Sequence, residues 1–466
     1  MSTAGYLDVR ELIDHNRLTG KQKLSTLVAL LCIVVDGLEV IVVGFIAPAL
    51  KADWGLSTAQ LAPAVTSGLV GLALGSFVAG PLGDRFGRKP VILTAVAAFA
   101  VITLVTPLAG GVVSFSVLRL LTGFGLGASM PNVAALVAEL TPTRHRRALV
   151  GLSYAGFPTG AAIGAAVLPF IVAGAGWKVA MLLCGLAAVA IGIAVLFLLA
   201  ESPRFLASSG RNRATLVRFC NDLEPGSADD TTVFTLGTPT RGRNYPISAL
   251  FRRGLAPGTI FLWVGFLAVM FTVYLNNTWL PFLFADTGFE TGQISLLTTL
   301  LQVGGIVGCS MIGLLQERFG PQATLVVTGA VGALMALSIA LVPASTTVLA
   351  ILIFVLGMAT NSISTGYTVV SSTFYPTDIR STGTSWTAGV SRIGSVAGAA
   401  VGTALVSLGF SISQVFLLLL VPIAIGALAM AAKGVVYRRR PTAGDDAPHH
   451  PPVTAESRPI SPAEQS

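Results

Sequence analysis

The stretch Gly80-Pro-Leu-Gly-Asp-Arg-Phe-Gly-Arg-Lys89 decides the fold, because it joins two long apolar runs and returns later in the chain. Its degenerate copy, Gly313-Leu-Leu-Gln-Glu-Arg-Phe-Gly320, again follows a long apolar run. A second pair of similar stretches, residues 44–55 and 277–288, keeps the same spacing. A sequence that repeats itself at half its length predicts two like halves with the same order of elements.

Composition places both halves in a membrane. Hydrophobic residues make up 53% of the 466 residues and charged residues only 11%, whereas soluble domains carry about 25% charged residues. A helix that crosses a bilayer needs roughly 20 apolar residues, and twelve such runs lie between residues 24 and 434. We therefore predict an all-α integral membrane protein with twelve transmembrane helices in two six-helix halves.

The domain boundaries follow from the polar stretches. The two halves are predicted at residues 24–200 and 256–434, and residues 201–255 are polar and rich in Gly, Pro, Ser and Arg. This central segment is expected to carry short surface helices. The tails, residues 1–23 and 435–466, lack an apolar run and are predicted to be mostly disordered.

Basic residues fall almost entirely on one side of the predicted membrane. The tails, the central segment and alternate loops hold nearly all of them, and the opposite loops receive Lys51 and Lys178. Since basic residues stay in the cytoplasm, we predict a multi-pass protein of the bacterial inner membrane with both termini cytoplasmic. This distribution explains the net charge of +8 without a nucleic-acid partner. The expected surroundings are the lipid bilayer, and the expected working unit is a monomer.

The charges of the repeated loop predict ion pairs at the cytoplasmic helix ends. Glu139, at the inner end of the fourth span, can accept Arg88 or Arg146. We interpret these charges as a gate that holds the inner side shut; the alternative is that they only anchor loops and set the orientation. The predicted gate residues are Asp84, Arg85, Arg88, Glu139, Arg146, Glu317, Arg318 and Arg380.

Four ionisable residues lie deep in the predicted hydrocarbon region, namely Asp36, Glu39, Arg119 and Arg392. A charge at the bilayer centre costs at least about 2.5–3.5 kcal/mol, which favours a functional role; a purely structural acid–arginine pair is the alternative. Asp36 and Glu39 share one helix face, since they are three residues apart. Two carboxylates so close disfavour double ionisation, so we predict that one of them carries a coupled proton. The four histidines fall in loops or tails and cannot replace them.

The two arginines are candidate partners for an anionic substrate. Arg119 can pair with Asp36 or Glu39 when spans one and four are neighbours, and protonation of the acid would weaken that pair. Arg392 lies on a Gly- and Ser-rich stretch of span eleven, and a guanidinium there can hold a carboxylate with two hydrogen bonds. Arg392 is the first candidate and Arg119 the second. Further candidates for hydrogen bonding or ring stacking, with helix packing as the alternative, are Asn276, Asn277, Trp279 and Tyr367.

Several of these stretches resemble those of a known family. Residues 80–89 resemble the loop signature of the major facilitator superfamily, and Asp36-Gly-Leu-Glu39 resembles the span-one motif of its aromatic acid:proton symporter family. Residues 119–132 and 375–383 resemble further motifs of that family. The resemblance implies alternating-access import of a benzoate-like or hydroxybenzoate-like acid with protons, for degradation, without a cofactor. It also implies roles for Asp36, Glu39, Arg119, Arg380 and Arg392. The chain departs from the family at Glu39, where Asp is usual, and the longer side chain moves the carboxylate by one methylene group.

Other functions on the same fold stay open. A proton-coupled transporter of another small organic acid or of a sugar shares the loop signatures, but a sugar porter is expected to show Gln-Gln where this chain has Asn276-Asn277. A drug efflux antiporter would show a Gly-Pro pair in span five, which Gly156-Phe-Pro158 only approaches. A non-transporting sensor would look the same. We do not expect an enzyme, because the spans hold no histidine, and the four cysteines lack metal-site or disulfide spacing.

Overall fold

The computed structural model of the chain describes residues 6–229, 231–236, 246–252, 254–341, 345–376 and 379–437. In chain order it begins with β1 (Tyr6–Asp8) and α1 (Val9–His15). The first half follows as α2 (Gly20–Trp54), α3 (Thr58–Phe86), α4 (Arg88–Val105), α5 (Val112–Leu140) and α6 (Thr143–Leu198). The central segment holds α7 (Pro203–Ser209), α8 (Arg213–Leu223), β2 (Val233–Thr235) and a 3-10 turn over Ile247–Phe251. The second half contains α9 (Ala256–Asp286), α10 (Thr291–Phe319), α11 (Pro321–Leu341), α12 (Thr346–Phe374), α13 (Arg380–Ser407) and α14 (Ile412–Tyr437).

The number of membrane spans depends on how α6 is counted. Eleven helices among the described residues are long and apolar enough to cross a membrane, with α6 counted once. Gly176 interrupts α6 with φ 83° and ψ 167°, a conformation that only glycine adopts without strain. The helix on each side of Gly176 is long enough to span, so the predicted total of twelve is confirmed.

The two halves are built alike. In the first half α2 packs along α6 and α3 along α5, and in the second half α9 packs along α13 and α10 along α12. These are the pairs that the sequence repeat relates to one another, so the predicted internal repeat is confirmed. The halves meet where α2 contacts α9, α3 contacts α13 and α6 contacts α10.

Glycines allow the helices within each half to touch backbone to backbone. A Cβ added at Gly127 of α5 would overlap the carbonyl oxygen of Leu72 on α3, and one added at Gly357 of α12 would overlap that of Leu301 on α10. Small residues serve this purpose in membranes, where close approach replaces the hydrophobic effect as the source of helix association. Gly80 differs, because nothing lies within 4 Å of its added Cβ.

A shared apolar cluster joins the halves at the end remote from β1 and the central segment. It includes Ile46 and Leu50 from the last turns of α2 and Leu280 and Leu283 from the last turns of α9. The Ser295 hydroxyl of α10 donates to the carbonyl oxygen of Ala165 on α6 at 3.0 Å. At this end the two halves are therefore closed against each other.

The chain start is ordered, so the predicted disorder of residues 1–23 is wrong for the described part. β1 pairs in parallel with β2, and α1 packs on the central segment through a small core. Asp14 accepts hydrogen bonds from the backbone and hydroxyl of Thr143 at the start of α6. The sequence did not predict this because β1 has three residues and α1 only about two turns, so neither produces an apolar run. The core residues are Val9, Leu12, Ile13, Leu206, Leu216, Cys220 and Ala228; together with β1 and β2 they form what we call the tail-side subdomain.

The other predicted boundaries shift by a few residues. α2 begins at Gly20, four residues before the predicted start, because Thr19 and Gln22 form a capping box there. The central segment contains the short helices α7 and α8, as expected. α14 continues to Tyr437, so residues 435–437 are helical rather than disordered, and residues 438–466 lie outside the described part.

Substitution of Gly127 by Ala should separate α3 from α5. The added methyl group meets a carbonyl oxygen of the neighbouring backbone, so we expect a loss of about 1–3 kcal/mol of stability from overpacking. Thermal unfolding of the purified protein in detergent measures the loss. Gly313→Ala is the matched control, since an added Cβ there meets nothing within 4 Å. Equal melting temperatures for the two variants would contradict the packing described here.

The thiol of Cys220 should report whether the tail-side subdomain is folded. Its side chain is fully buried, and this burial raises the pKa of the Cys220 thiol to about 11. Because only the thiolate reacts, maleimide labelling at pH 7 should be slow in a variant that keeps Cys220 as its single cysteine. Leu12→Asp places a charge in the core and should speed labelling by about tenfold or more. Arg10→Asp, on the exposed face of α1, is the control and should leave the rate unchanged; equally fast labelling in both would disprove the docking.

Candidate functional site

The most buried ion pair among the described residues joins α2 to α5. Glu39 and Arg119 are 0% and 3% exposed. An Arg119 Nη1 atom lies 3.2 Å from Glu39 Oε2, and Nη2 donates to the backbone oxygen of Glu39 at 2.9 Å. Thr103 of α4 lies beside the same carboxylate. Of the two partners that the sequence left open for Arg119, the structure selects Glu39.

Asp36 has a different partner. The Ser129 hydroxyl of α5 lies 2.8 Å from Asp36 Oδ2 and 3.0 Å from the carbonyl oxygen of Leu126. The other carboxylate oxygen, Oδ1, has no hydrogen-bond partner among the described residues. A serine placed between a carboxylate and a carbonyl can donate to ionised Asp36. It can equally accept from protonated Asp36 while donating to Leu126, so the hydrogen bond between Ser129 and Asp36 Oδ2 can be kept in both protonation states.

Arg392 of α13 lies at the junction of the two halves. Its Nη1 atom donates to the Tyr274 hydroxyl of α9 at 3.2 Å, and Nη2 lies 3.7 Å from the Met130 sulfur of α5. Asp36 and Tyr154 are within electrostatic reach of the guanidinium. No carboxylate within the described chain lies at ion-pair distance from it, unlike Arg119. Arg392 thus retains capacity for an anion.

The structure places two predicted substrate ligands in helix packing. The Trp279 indole donates to the carbonyl oxygen of Ala399 at 2.8 Å. The Tyr367 hydroxyl donates to that of Gly426 at 2.6 Å. Both side chains are buried, at 1% and 0% exposure, and their polar groups are occupied by main chain. Packing, the alternative left open by the sequence, describes both in this structure.

The two asparagines of α9 are buried but differ in their partners. Asn277 Oδ1 accepts from the Gln302 amide of α10 at 2.9 Å. Neither amide atom of Asn276 has a hydrogen-bond partner among the residues described, although the side chain is only 2% exposed. Both therefore supply polar groups inside the second half, and both amide atoms of Asn276 have unused hydrogen-bonding capacity among the described residues.

Arg88 is the centre of the predicted gate charges in the first half. Its Nη2 atom lies 2.7 Å from Asp84 Oδ1 and 3.4 Å from Glu139 Oε1. Its Nη1 atom donates to Asn132 Oδ1 at 3.3 Å. Glu201 accepts the backbone N–H of Arg88 at 3.0 Å, at the start of α4. These contacts tie α3, α4 and α5 together within one half.

The remaining gate residues do not join the halves in this conformation. Arg146 donates to the carbonyl oxygens of Ala138 and Thr141, and Arg380 donates to that of Tyr375 at 3.2 Å. The guanidinia of Arg85 and Arg318 lie over their neighbouring Phe rings. Glu317 has no ion pair within the described part. The described ion pairs of this set, Arg88–Asp84, Arg88–Glu139 and Arg146–Asp14, do not reach the second half, and the gate role of these charges stays a prediction.

Tyr274, Met130 and Ser129 were not singled out from the sequence. Tyr274 and Met130 lie in apolar runs where an aromatic or thioether side chain reads as core, and nothing local marks them as partners of Arg392. Ser129 carried a weak signal, since it lies in residues 119–132 with Arg119. Only the packing of α5 against α2 shows that it meets Asp36.

Comparison with known proteins finds membrane transporters among both sequences and solved structures. The sequence profile described as Major Facilitator Superfamily matches residues 29–350 and 262–462. A gallate transporter of Pseudomonas putida is 35% identical over 432 residues, covering 92% of this chain and 95% of the relative. A 4-hydroxybenzoate transporter of Acinetobacter baylyi is 33% identical over 433 residues, covering 92% and 95%. Among solved structures, a D-xylose–proton symporter superimposes with a TM-score of 0.66 at 18% identity, covering 88% of this chain and 96% of that one.

The Glu39–Arg119 pair should show strong coupling in stability. Glu39→Gln and Arg119→Gln each leave an unpaired charge or an unpaired polar group in a buried site, so each should cost about 3–5 kcal/mol. The double variant should cost less than the sum of the two. Detergent unfolding curves of the four proteins measure this coupling.

The exposed pair Lys21–Asp222, at 2.7 Å with side chains 75% and 37% exposed, provides the control cycle. Its single variants should cost no more than about 1 kcal/mol. Additive losses at Glu39 and Arg119 would show that the buried pair is not an interacting unit.

Proposed function

The chain belongs to the Major Facilitator Superfamily, and from this we propose that it is a secondary transporter that imports a benzoate-like or hydroxybenzoate-like aromatic acid together with protons. It is a transporter and not an enzyme. The relatives that cover most of its length are likewise transporters. No cofactor has a part in the proposal.

The observation that carries the proposal is the state of Arg392. A guanidinium inside the membrane-spanning region is costly unless it is compensated. Among the residues that the structure describes, only a hydroxyl and a thioether lie within bonding distance of Arg392. A substrate carboxylate would complete the compensation with a charge-assisted hydrogen bond. A neutral sugar would leave the charge uncompensated, which favours an acid over the sugar alternative. The names of the relatives, transporters of gallate and of 4-hydroxybenzoate, point to the same class of acid.

The proposed proton site is Asp36. Ionised Asp36 and a substrate carboxylate would compete for the charge of Arg392, so the acid and a proton on Asp36 favour each other's binding, as linkage requires. Ser129 accommodates both forms of Asp36 without a change in the fold. Glu39, held by Arg119, is proposed to keep α2 and α5 in register around Asp36.

The remaining parts of the proposal concern the setting. We place the protein in the bacterial inner membrane with both termini in the cytoplasm, because the basic residues gather on the side of the tails and the central segment. In this orientation the closed end formed by α2 and α9 faces outward, and the Arg88 cluster braces the inner ends of the first half. The monomer holds both halves of the site and is the proposed working unit.

Asp36→Asn should uncouple transport from the proton gradient. In proteoliposomes with an alkaline interior, the unaltered protein should accumulate radiolabelled 4-hydroxybenzoate, and a protonophore should abolish the accumulation. The variant should lose accumulation by about tenfold or more, since it cannot carry the proton. It should keep exchange of labelled for unlabelled acid, because Arg392 is intact.

Asp53→Asn is the matched control, on the same helix but paired with the Trp177 indole at 2.9 Å. It should accumulate the acid normally. Asp36→Asn vesicles that still concentrate the acid would overturn the assigned proton site. Failure of the unaltered protein to move any aromatic acid would overturn the proposed function.

A further inference from the structure

A groove runs between the two halves beside Arg392. It lies between α3 and α13 and has a volume of about 300 Å³. Apart from Arg392, the described residues that line it are apolar or glycine. Leu74 and Phe77 of α3 and Ile393 of α13 are 51%, 54% and 58% exposed, so the groove is open along one side. Its principal lining residues are Ala73, Leu74, Phe77, Gly389, Arg392 and Ala397.

We propose that this groove holds the aromatic ring of the substrate while Arg392 holds its carboxylate, an inference that rests on the proposed function. The chemistry of the lining selects a small amphiphilic anion, with one cation at one place and hydrocarbon around it. An apolar cavity of about 150 Å³ is enough for a benzene ring. A volume of about 300 Å³ therefore accepts a ring with its carboxylate and ring substituents.

Phe77 forms one wall of this ring subsite. A Cβ added at Gly389 would lie 2.8 Å from Phe77 Cε1, so the absence of a side chain at Gly389 lets the Phe77 ring lie directly against α13. An aromatic ring at this position can stack on the ring of a bound acid. Phe77 and the small lining residues Ala73 and Ala397 then set the size of the ring substituents that the subsite accepts.

A membrane lipid is the competing occupant, and the position of Arg392 argues against it. Arg392 is the thirteenth residue of α13, which runs from Arg380 to Ser407, so it lies about 18 Å along the helix from the first residue. A lipid phosphate stays near the membrane surface, and a lipid acyl chain at this depth has no charge to offer Arg392, whereas a small acid can carry its carboxylate there. Charge complementarity at mid-helix therefore favours the acid.

Ala73→Phe tests the subsite by filling it. Binding of labelled 4-hydroxybenzoate to the purified protein should weaken by about tenfold or more, since even small changes of volume in an apolar pocket alter affinity by such factors. Val78→Phe adds the same bulk to the same helix at a residue that is 40% exposed and does not line the groove. Its affinity should stay within about twofold of the unaltered protein.

Phe77→Ala provides a test that damage to the fold cannot imitate. Enlarging the groove should shift the ratio of affinities toward acids with bulkier ring substituents, by about tenfold relative to benzoate. The measurement is a competition series of substituted benzoates against the labelled acid. A gain for the bulky acids supports the ring subsite.

The outcomes separate this proposal from the proposed function. If the unaltered protein binds 4-hydroxybenzoate and Ala73→Phe binds it equally well, the ring lies elsewhere and the subsite is overturned while the function stands. If the groove variants instead change only the lipids that copurify with the protein, measured by mass spectrometry, the groove is a lipid site and the subsite is overturned. If the unaltered protein binds no aromatic acid, the proposed function fails and takes the subsite with it.

Discussion

The protein depends on the compensation of charge where water is scarce. Glu39 and Arg119 are both almost fully buried, and each would be untenable alone in a medium of low dielectric constant. Their mutual contact, reinforced by the bond from Arg119 to the backbone of Glu39, fixes α2 against α5. Asp36 lies about one helical turn away on the same face of α2, so the pair also helps to fix the position of the acid that contacts Ser129.

The two deep arginines show opposite solutions to the same constraint. Arg119 finds its carboxylate within its own half, and the result is a rigid element. Arg392 contacts a tyrosine of its own half and a methionine of the other, and no carboxylate of the described chain compensates it. A charge that is compensated within the protein supports structure, whereas one that is only partly compensated can drive the binding of a ligand. The contrast between them is the reason why we propose a substrate site at the junction of the halves.

The two-half fold and the buried charged residues could be predicted from the sequence, but the partners of individual side chains could not. The repeat around Gly80 and Gly313 predicted the two halves, because helices that occupy equivalent places meet the same steric demands. The cost of charge in lipid singled out Asp36, Glu39, Arg119 and Arg392. The choice of Glu39 over Asp36 for Arg119 could not be predicted, since it depends on rotation of α2 relative to α5. Tyr274 is a partner of Arg392 only because α9 packs along α13, and Trp279 and Tyr367 are occupied by carbonyl oxygens that a sequence does not place.

Ion pairs and hydrogen bonds at the helix ends nearest the tail-side subdomain stabilise the two halves unequally. The tail-side subdomain contacts the first half through the hydrogen bond from Thr143 to Asp14. The Arg88 cluster lies within the first half and pairs Arg88 with Asp84 and Glu139. Among the described residues the second half has no ion pair of its own at the corresponding helix ends. The described ion pairs thus stiffen the first half more than the second at these helix ends. Arg392 lies on the second half and Asp36 on the first, so any movement of one half against the other changes the distance between these two groups.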